Sequence, residues 1–64
     1  MYKVKEPISY RNYAFNGDQP IEICVEGYRL ENDVEVMYIG GKWVDFDENE
    51  YTAVIMGEIV GFSL

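Results

Sequence analysis

The chain reads as a single small all-β domain, residues 1–64: a curled antiparallel meander or a five- to six-stranded barrel-like sheet. Three observations carry that reading. Apolar and polar residues alternate with a period of two through most of the chain, and no segment sustains a period of 3.6. Short polar or glycine-containing clusters separate the alternating runs. Those runs are filled by aromatic and β-branched residues, which suit a pleated, half-buried surface.

The first run, Ile8-Ser9-Tyr10-Arg11-Asn12-Tyr13-Ala14-Phe15, has strand-forming residues but a broken alternation, which predicts a β-bulge or bend within it. Asn16-Gly17-Asp18 follows as a tight turn, since Asn and Gly tolerate positive φ. Pro20 suits the start of the next strand, where a missing N–H is tolerated. Ile21, Ile23 and Val25 then fall on one face, with Glu22, Cys24 and Glu26 on the other. Glu31-Asn32-Asp33 is a polar turn. In the strand Asp33–Ile39, Val34, Val36 and Tyr38 oppose Asp33, Glu35, Met37 and Ile39.

Gly40-Gly41 is a two-residue hairpin turn leading into Lys42-Trp43-Val44-Asp45-Phe46. Asp47-Glu48-Asn49-Glu50 forms the next polar turn. Tyr51–Met56 is apolar on both faces, which predicts a strand buried on two sides. Gly57 and Gly61 bracket a kinked last strand around Glu58-Ile59-Val60. A helix over residues 50–60 is the alternative, opposed by the β-branched residues and glycines.

A 64-residue chain has room for one core. Such a chain buries only ~60% of the surface its unfolded form exposes, and one core of this size supplies roughly 3–5 kcal/mol. Cys24 is the only cysteine, so no disulfide closes within the chain. Six Tyr, three Phe and one Trp offer aromatic packing in its place. The start Met1–Pro7 is charged and lacks the apolar stretch of a signal peptide, and no apolar run reaches the ~20 residues that span a bilayer. The expected location is the cytoplasm, the host's if a phage encodes the chain.

Charge narrows the function. The net charge is −7, from twelve acids and five bases. Residues 1–16 hold Lys3, Lys5 and Arg11 against Glu6 alone, whereas residues 17–64 set only Arg29 and Lys42 against the other acids. Such a surface repels nucleic-acid phosphates and anionic membranes and attracts basic partners.

Chemistry is poorly supplied. Without histidine the commonest general base is missing, and no Ser-His or Cys-His pair can be assembled. Cys24 sits mid-strand with no basic neighbour in sequence, as a small packing residue does. Asp45-Phe46-Asp47-Glu48-Asn49-Glu50-Tyr51 begins like a calcium-binding EF-hand loop. Glu50 then stands where glycine is required and Met56 where a bidentate Glu is required. The expectation is no enzyme, no cofactor and no metal.

The remaining reading is contact. Glu22, Glu26, Glu35, Asp45, Asp47, Glu48 and Glu50 form the candidate partner-binding set. Trp43 joins it because strict alternation places it beside Asp45 and Asp47, although a lone Trp in a small β-domain more often lies in the core. Carboxylates two residues apart on one strand stand ~6.6–6.8 Å apart, comparable to phosphate spacing. The expected partner is a protein with a basic groove, one that itself handles nucleic acid. In compactness, acidity and lack of catalytic groups the chain resembles, in type only, the small phage inhibitors of defence or transcription proteins, anti-CRISPR and anti-restriction proteins among them. The alternative is a structural subunit that self-associates through a sheet edge, as a homodimer with Met37 and Ile39 at the contact.

Overall fold

A computed structural model describes the backbone of residues 1–64 and every side chain except that of Asn16. Six strands follow in order: β1 (Tyr2–Asn16), β2 (Gln19–Leu30), β3 (Glu35–Ile39), β4 (Lys42–Val44), β5 (Glu50–Met56) and β6 (Glu58–Ser63). All neighbours pair antiparallel, and β6 returns to β1 through Tyr2↔Phe62 and Lys3↔Gly61, closing a barrel. The segment offered as a helix is strand, with Gly57 as the turn between β5 and β6.

Closure depends on close backbone approach. A Cβ on Gly61 would lie 2.7 Å from the Tyr2 carbonyl oxygen, and one on Gly27 would collide with the carbonyl oxygen of Val36. Glycine alone allows β6 to reach β1 and β2 to reach β3 at these points.

The core is small. Leu30, Val36 and Phe62 are fully buried, and Val4, Tyr28, Trp43, Tyr51, Ala53 and Ile59 pack around them. Burying each large apolar side chain stabilises the fold by ~1.5–3 kcal/mol, so three fully buried residues with half-buried aromatics make the modest core expected of this length.

The barrel accounts for only part of β1 and β2. From Ile8 to Glu26 these strands pair with each other and, among the described residues, with no other strand. They project as a two-stranded arm, and the molecule measures 44 × 21 × 20 Å.

Several sequence expectations shift. The bulge lies between Val4 and Glu6, before the run in which it was expected, and the arm itself is in unbroken register. β1 begins at Tyr2 because the bulge lets one strand serve both barrel and arm. β5 is not buried on both sides at its end, where Ile55 and Met56 stand exposed beside the Gly57 turn. Cys24 is exposed on the arm rather than packed, since nothing covers that face.

Candidate binding surface

The arm sorts its residues by register. Cross-strand partners share a face. One face carries the pairs Ile8↔Gly27, Tyr10↔Val25, Asn12↔Ile23 and Ala14↔Ile21, with no charged side chain. The other carries Pro7↔Tyr28, Ser9↔Glu26, Arg11↔Cys24, Tyr13↔Glu22 and Phe15↔Pro20, and holds every charge of the paired arm residues. The expected division of Ile21, Ile23 and Val25 from Glu22, Cys24 and Glu26 is therefore present.

Each face opens into a groove at the barrel. The charged face meets a groove of about 680 Å³ bordered by Ser9, Cys24, Glu26, Tyr28, Tyr38 and Trp43. The neutral face meets one of about 860 Å³, bordered by Tyr10, Val25, Met37, Ile39, Val44 and Phe46, with Glu48 and Glu50 also lining it.

Trp43 is a wall of the first groove and a member of the core. Its ring centroid lies 4.9 Å from Phe62, 5.0 Å from Tyr38 and 5.9 Å from Tyr28. It does not share an outward face with Asp45, because β4 ends at Val44 and the chain turns before alternation can continue.

Asp45 itself is turned inward and only 8% exposed. Its Oδ1 accepts the backbone N–H groups of Asp47 (2.9 Å) and Asn49 (3.0 Å). Its Oδ2 accepts Asn49 Nδ2 (3.1 Å) and Tyr51 Oη (2.9 Å). Burial pushes its pKa up, but the hydrogen bonds from Asn49, Tyr51 and Asp47 outweigh burial and hold the carboxyl below its usual range. Burial, and after it the contact with Asp45, pushes the Tyr51 phenol up to about 12. Asp45 thus organises the β4–β5 turn, its oxygens occupied by N–H and O–H donors.

Glu35 is also drawn into structure. Its Oε1 accepts Tyr10 Oη and Arg29 Nη2, and Arg29 Nη1 donates to Glu6. This chain ties the arm base to β3. Tyr10 is raised, chiefly by the hydrogen bond to Glu35. Burial opposes the Arg29 charge, while Glu6 and Glu35 more than offset it. Glu50 pairs with Lys42 at 2.8 Å, and Glu22 with Arg11 at 3.5 Å. Lys5 pairs with Asp33 at 3.4 Å.

The candidate set therefore divides. Glu22, Glu26 and Trp43 lie on the charged face of the arm and its groove, whereas Glu35, Glu48 and Glu50 lie toward the other groove. Asp47 and Glu48 are exposed on the β4–β5 turn. Tyr38, a candidate from the sequence to stand beside an exposed Trp43, does border the first groove. Tyr28, its other aromatic wall, is not singled out by the sequence, because alternation alone does not reveal that the core line opens there.

Comparison with known protein families, with curated proteins and with solved structures finds no match. Among the described residues no helix is long and apolar enough to cross a membrane.

Proposed function

We propose that this protein is a non-enzymatic binding protein that occupies a basic surface on a protein partner. The carrying observation is how its charges are paired. Among the described residues Lys5, Arg11, Arg29 and Lys42 are all engaged by carboxylates. Asp18, Glu26, Glu31, Asp47, Glu48 and Glu58 are exposed and outside every ion pair. Four of the five basic side chains are thus matched by carboxylates, Lys3 being exposed outside these pairs, and the surplus negative charge faces outward.

Glu26 at the aromatic groove, with Asp47 and Glu48 on the β4–β5 turn, is the unpaired set offered to the partner, and Glu22, held by Arg11, adds to it further along the arm. A Lys/Arg-lined groove of a protein that handles nucleic acid has the matching chemistry, and occupying it would inhibit that protein stoichiometrically. A projecting two-stranded arm is a shape that can enter such a groove.

The test is binding to a panel of basic nucleic-acid-handling proteins across a salt series, with the Glu22→Gln/Glu26→Gln variant alongside. Binding that weakens with salt and with the substitutions supports the reading, because added ions screen exposed charges within ~10 Å at 0.1 M. Affinity indifferent to both would refute it.

A further inference from the structure

The apolar phase of the chain reverses where the arm leaves the barrel. Along β2, Tyr28 and Leu30 face the barrel core, and Gly27 and Arg29 face outward. Ile21, Ile23 and Val25 keep the outward phase of Gly27, with no bulge between them. In β1 the bulge after Val4 makes the same switch, so that Val4 packs on the core while Ile8, Tyr10 and Ala14 continue the outer surface. The arm's apolar residues therefore lie on the face opposite to the one that carries Tyr28 and Leu30 into the core.

That face is large for something left in water. Tyr10, Ile21 and Ile23 are each more than 40% exposed, and the strip runs on over the barrel to Ile39 and Phe46, which are 51% and 69% exposed. An isolated two-stranded ribbon is marginal by itself and needs a third strand or a packed apolar face. Within the chain Ile8 and Val25 at the arm base are half-buried, whereas Tyr10, Ile21 and Ile23 stay exposed, with no third strand beside them among the described residues.

We propose that the cover is the same face of a second copy, forming a two-fold dimer in which the arms pack apolar face to apolar face. Charge selects this occupant. The chain carries −7, so two copies repel through almost any surface. The neutral arm face is the exception, because Arg11, Glu22 and Glu26 all point the other way. A basic partner, by contrast, would gain little from the arm part of this face, where the pairs from Ile8↔Gly27 to Ala14↔Ile21 carry no carboxylate. Stacking neutral faces ~10 Å apart, as sheets pack, leaves both charged faces outward.

Area determines the extent of contact. Residues 8–15 extend ~24 Å and two strands are ~10 Å wide, so the arm face alone falls short of the ~800 Å² per partner typical of stable interfaces. The contact therefore extends to Ile39 and Phe46 in the barrel groove. Of the acids lining that groove, Asp45 is hydrogen-bonded within its turn and Glu50 is paired with Lys42, which leaves Glu48 as the carboxylate outside any ion pair there. Self-pairing does not depend on a basic partner, and it presents Glu22 and Glu26 twice.

Sedimentation equilibrium from micromolar to millimolar concentration tests this. The expected mass rises from 7.4 kDa toward twice that value. Ile23→Glu, and Phe46→Glu on the barrel, each weaken association by about tenfold or more, because a charge would be buried without a partner. Glu22→Gln, on the opposite face, dimerises like the parent chain. Trp43 emission, which reports the barrel, stays unchanged in all three, and Ile21→Glu replaces any variant in which it does not. A parent chain that keeps the one-copy mass throughout overturns the proposal and leaves the face to a different protein. Folded Ile23→Glu and Ile21→Glu variants that dimerise normally overturn it as well.

Discussion

The Tyr51 hydroxyl donates to Asp45 Oδ2 at 2.9 Å, fastening the middle of the barrel to the turn that enters β5. The contact joins a half-buried core ring to a buried carboxylate that also holds two backbone N–H groups. Removing either partner affects the turn and the core together.

Asp45→Ala is expected to cost ~1–3 kcal/mol, because the turn donors lose their acceptor, and Tyr51→Phe about 1 kcal/mol. Both are read by urea unfolding. The Asp45 carboxyl is depressed in the folded state, so its contribution is present above the ordinary carboxylate pKa and is lost as pH falls through the lower folded value. Unfolding curves between neutral and strongly acid pH should show this acid loss in the parent chain. It should be diminished in Asp45→Asn.

Alkaline titration gives the complementary sign. The Tyr51 phenol is raised to about 12 in the folded protein. Its contribution is complete below the ordinary tyrosine pKa and disappears as pH rises from there through the folded value. Ultraviolet difference spectroscopy should find a late-ionising tyrosine that Tyr51→Phe removes. Tyr10, raised by Glu35, should also ionise late.

Gly27→Ala is expected to destabilise by ~1–3 kcal/mol or more, since the added methyl collides with the backbone of Val36 rather than with a side chain that can turn aside. Gly17→Ala is the comparison. A Cβ there meets nothing within 4 Å, so its cost is confined to the φ of 68°. Chemical denaturation of both variants should rank Gly27→Ala as the more damaging.

Glu48 adopts φ 66°, a left-handed conformation that costs a non-glycine residue ~1–2 kcal/mol. Glycine avoids that strain but loses ~0.5–1 kcal/mol in chain entropy, so Glu48→Gly should be neutral to stabilising by up to about 1 kcal/mol. A thermal melt checks this. If Glu48 contacts a basic partner, the same variant binds it more weakly.

Tyr10→Phe should loosen the arm while sparing the barrel. The Tyr10–Glu35–Arg29–Glu6 chain is the polar tie at the arm base, on the same face as the second groove. Hydrogen exchange should accelerate over residues 8–26 and stay unchanged at Leu30, Val36 and Phe62. Equal acceleration in both regions would show that arm and barrel open as one unit.

Much of the architecture is written locally. Gly40-Gly41 marks a turn because few residues reach its backbone angles, and the two-residue period of Ile21–Val25 assigns those side chains to one face before any partner strand is known. Gly57, read from the sequence as bracketing a kinked strand, in fact separates β5 from β6. The change from Ile21, Ile23 and Val25 to Tyr28 and Leu30 is also visible as a shift of phase, and it marks the end of the barrel. The site was less legible. Alternation carried past Val44 placed Trp43 and Asp45 together outside, whereas Trp43 lies on Phe62 and Asp45 folds into its own turn.

By itself the sequence determined an all-β chain with a surplus of acid and the positions of its main turns, since these follow from composition, residue period and backbone preference. Only the tertiary structure decided which strand faces look inward, where the bulge falls, that β1 and β2 outrun the barrel as an arm, and which acids remain unpaired. Alternation creates two faces without saying which one meets the core. That choice is made by contacts between strands distant in sequence, such as Tyr2 with Phe62 and Gly27 with Met37.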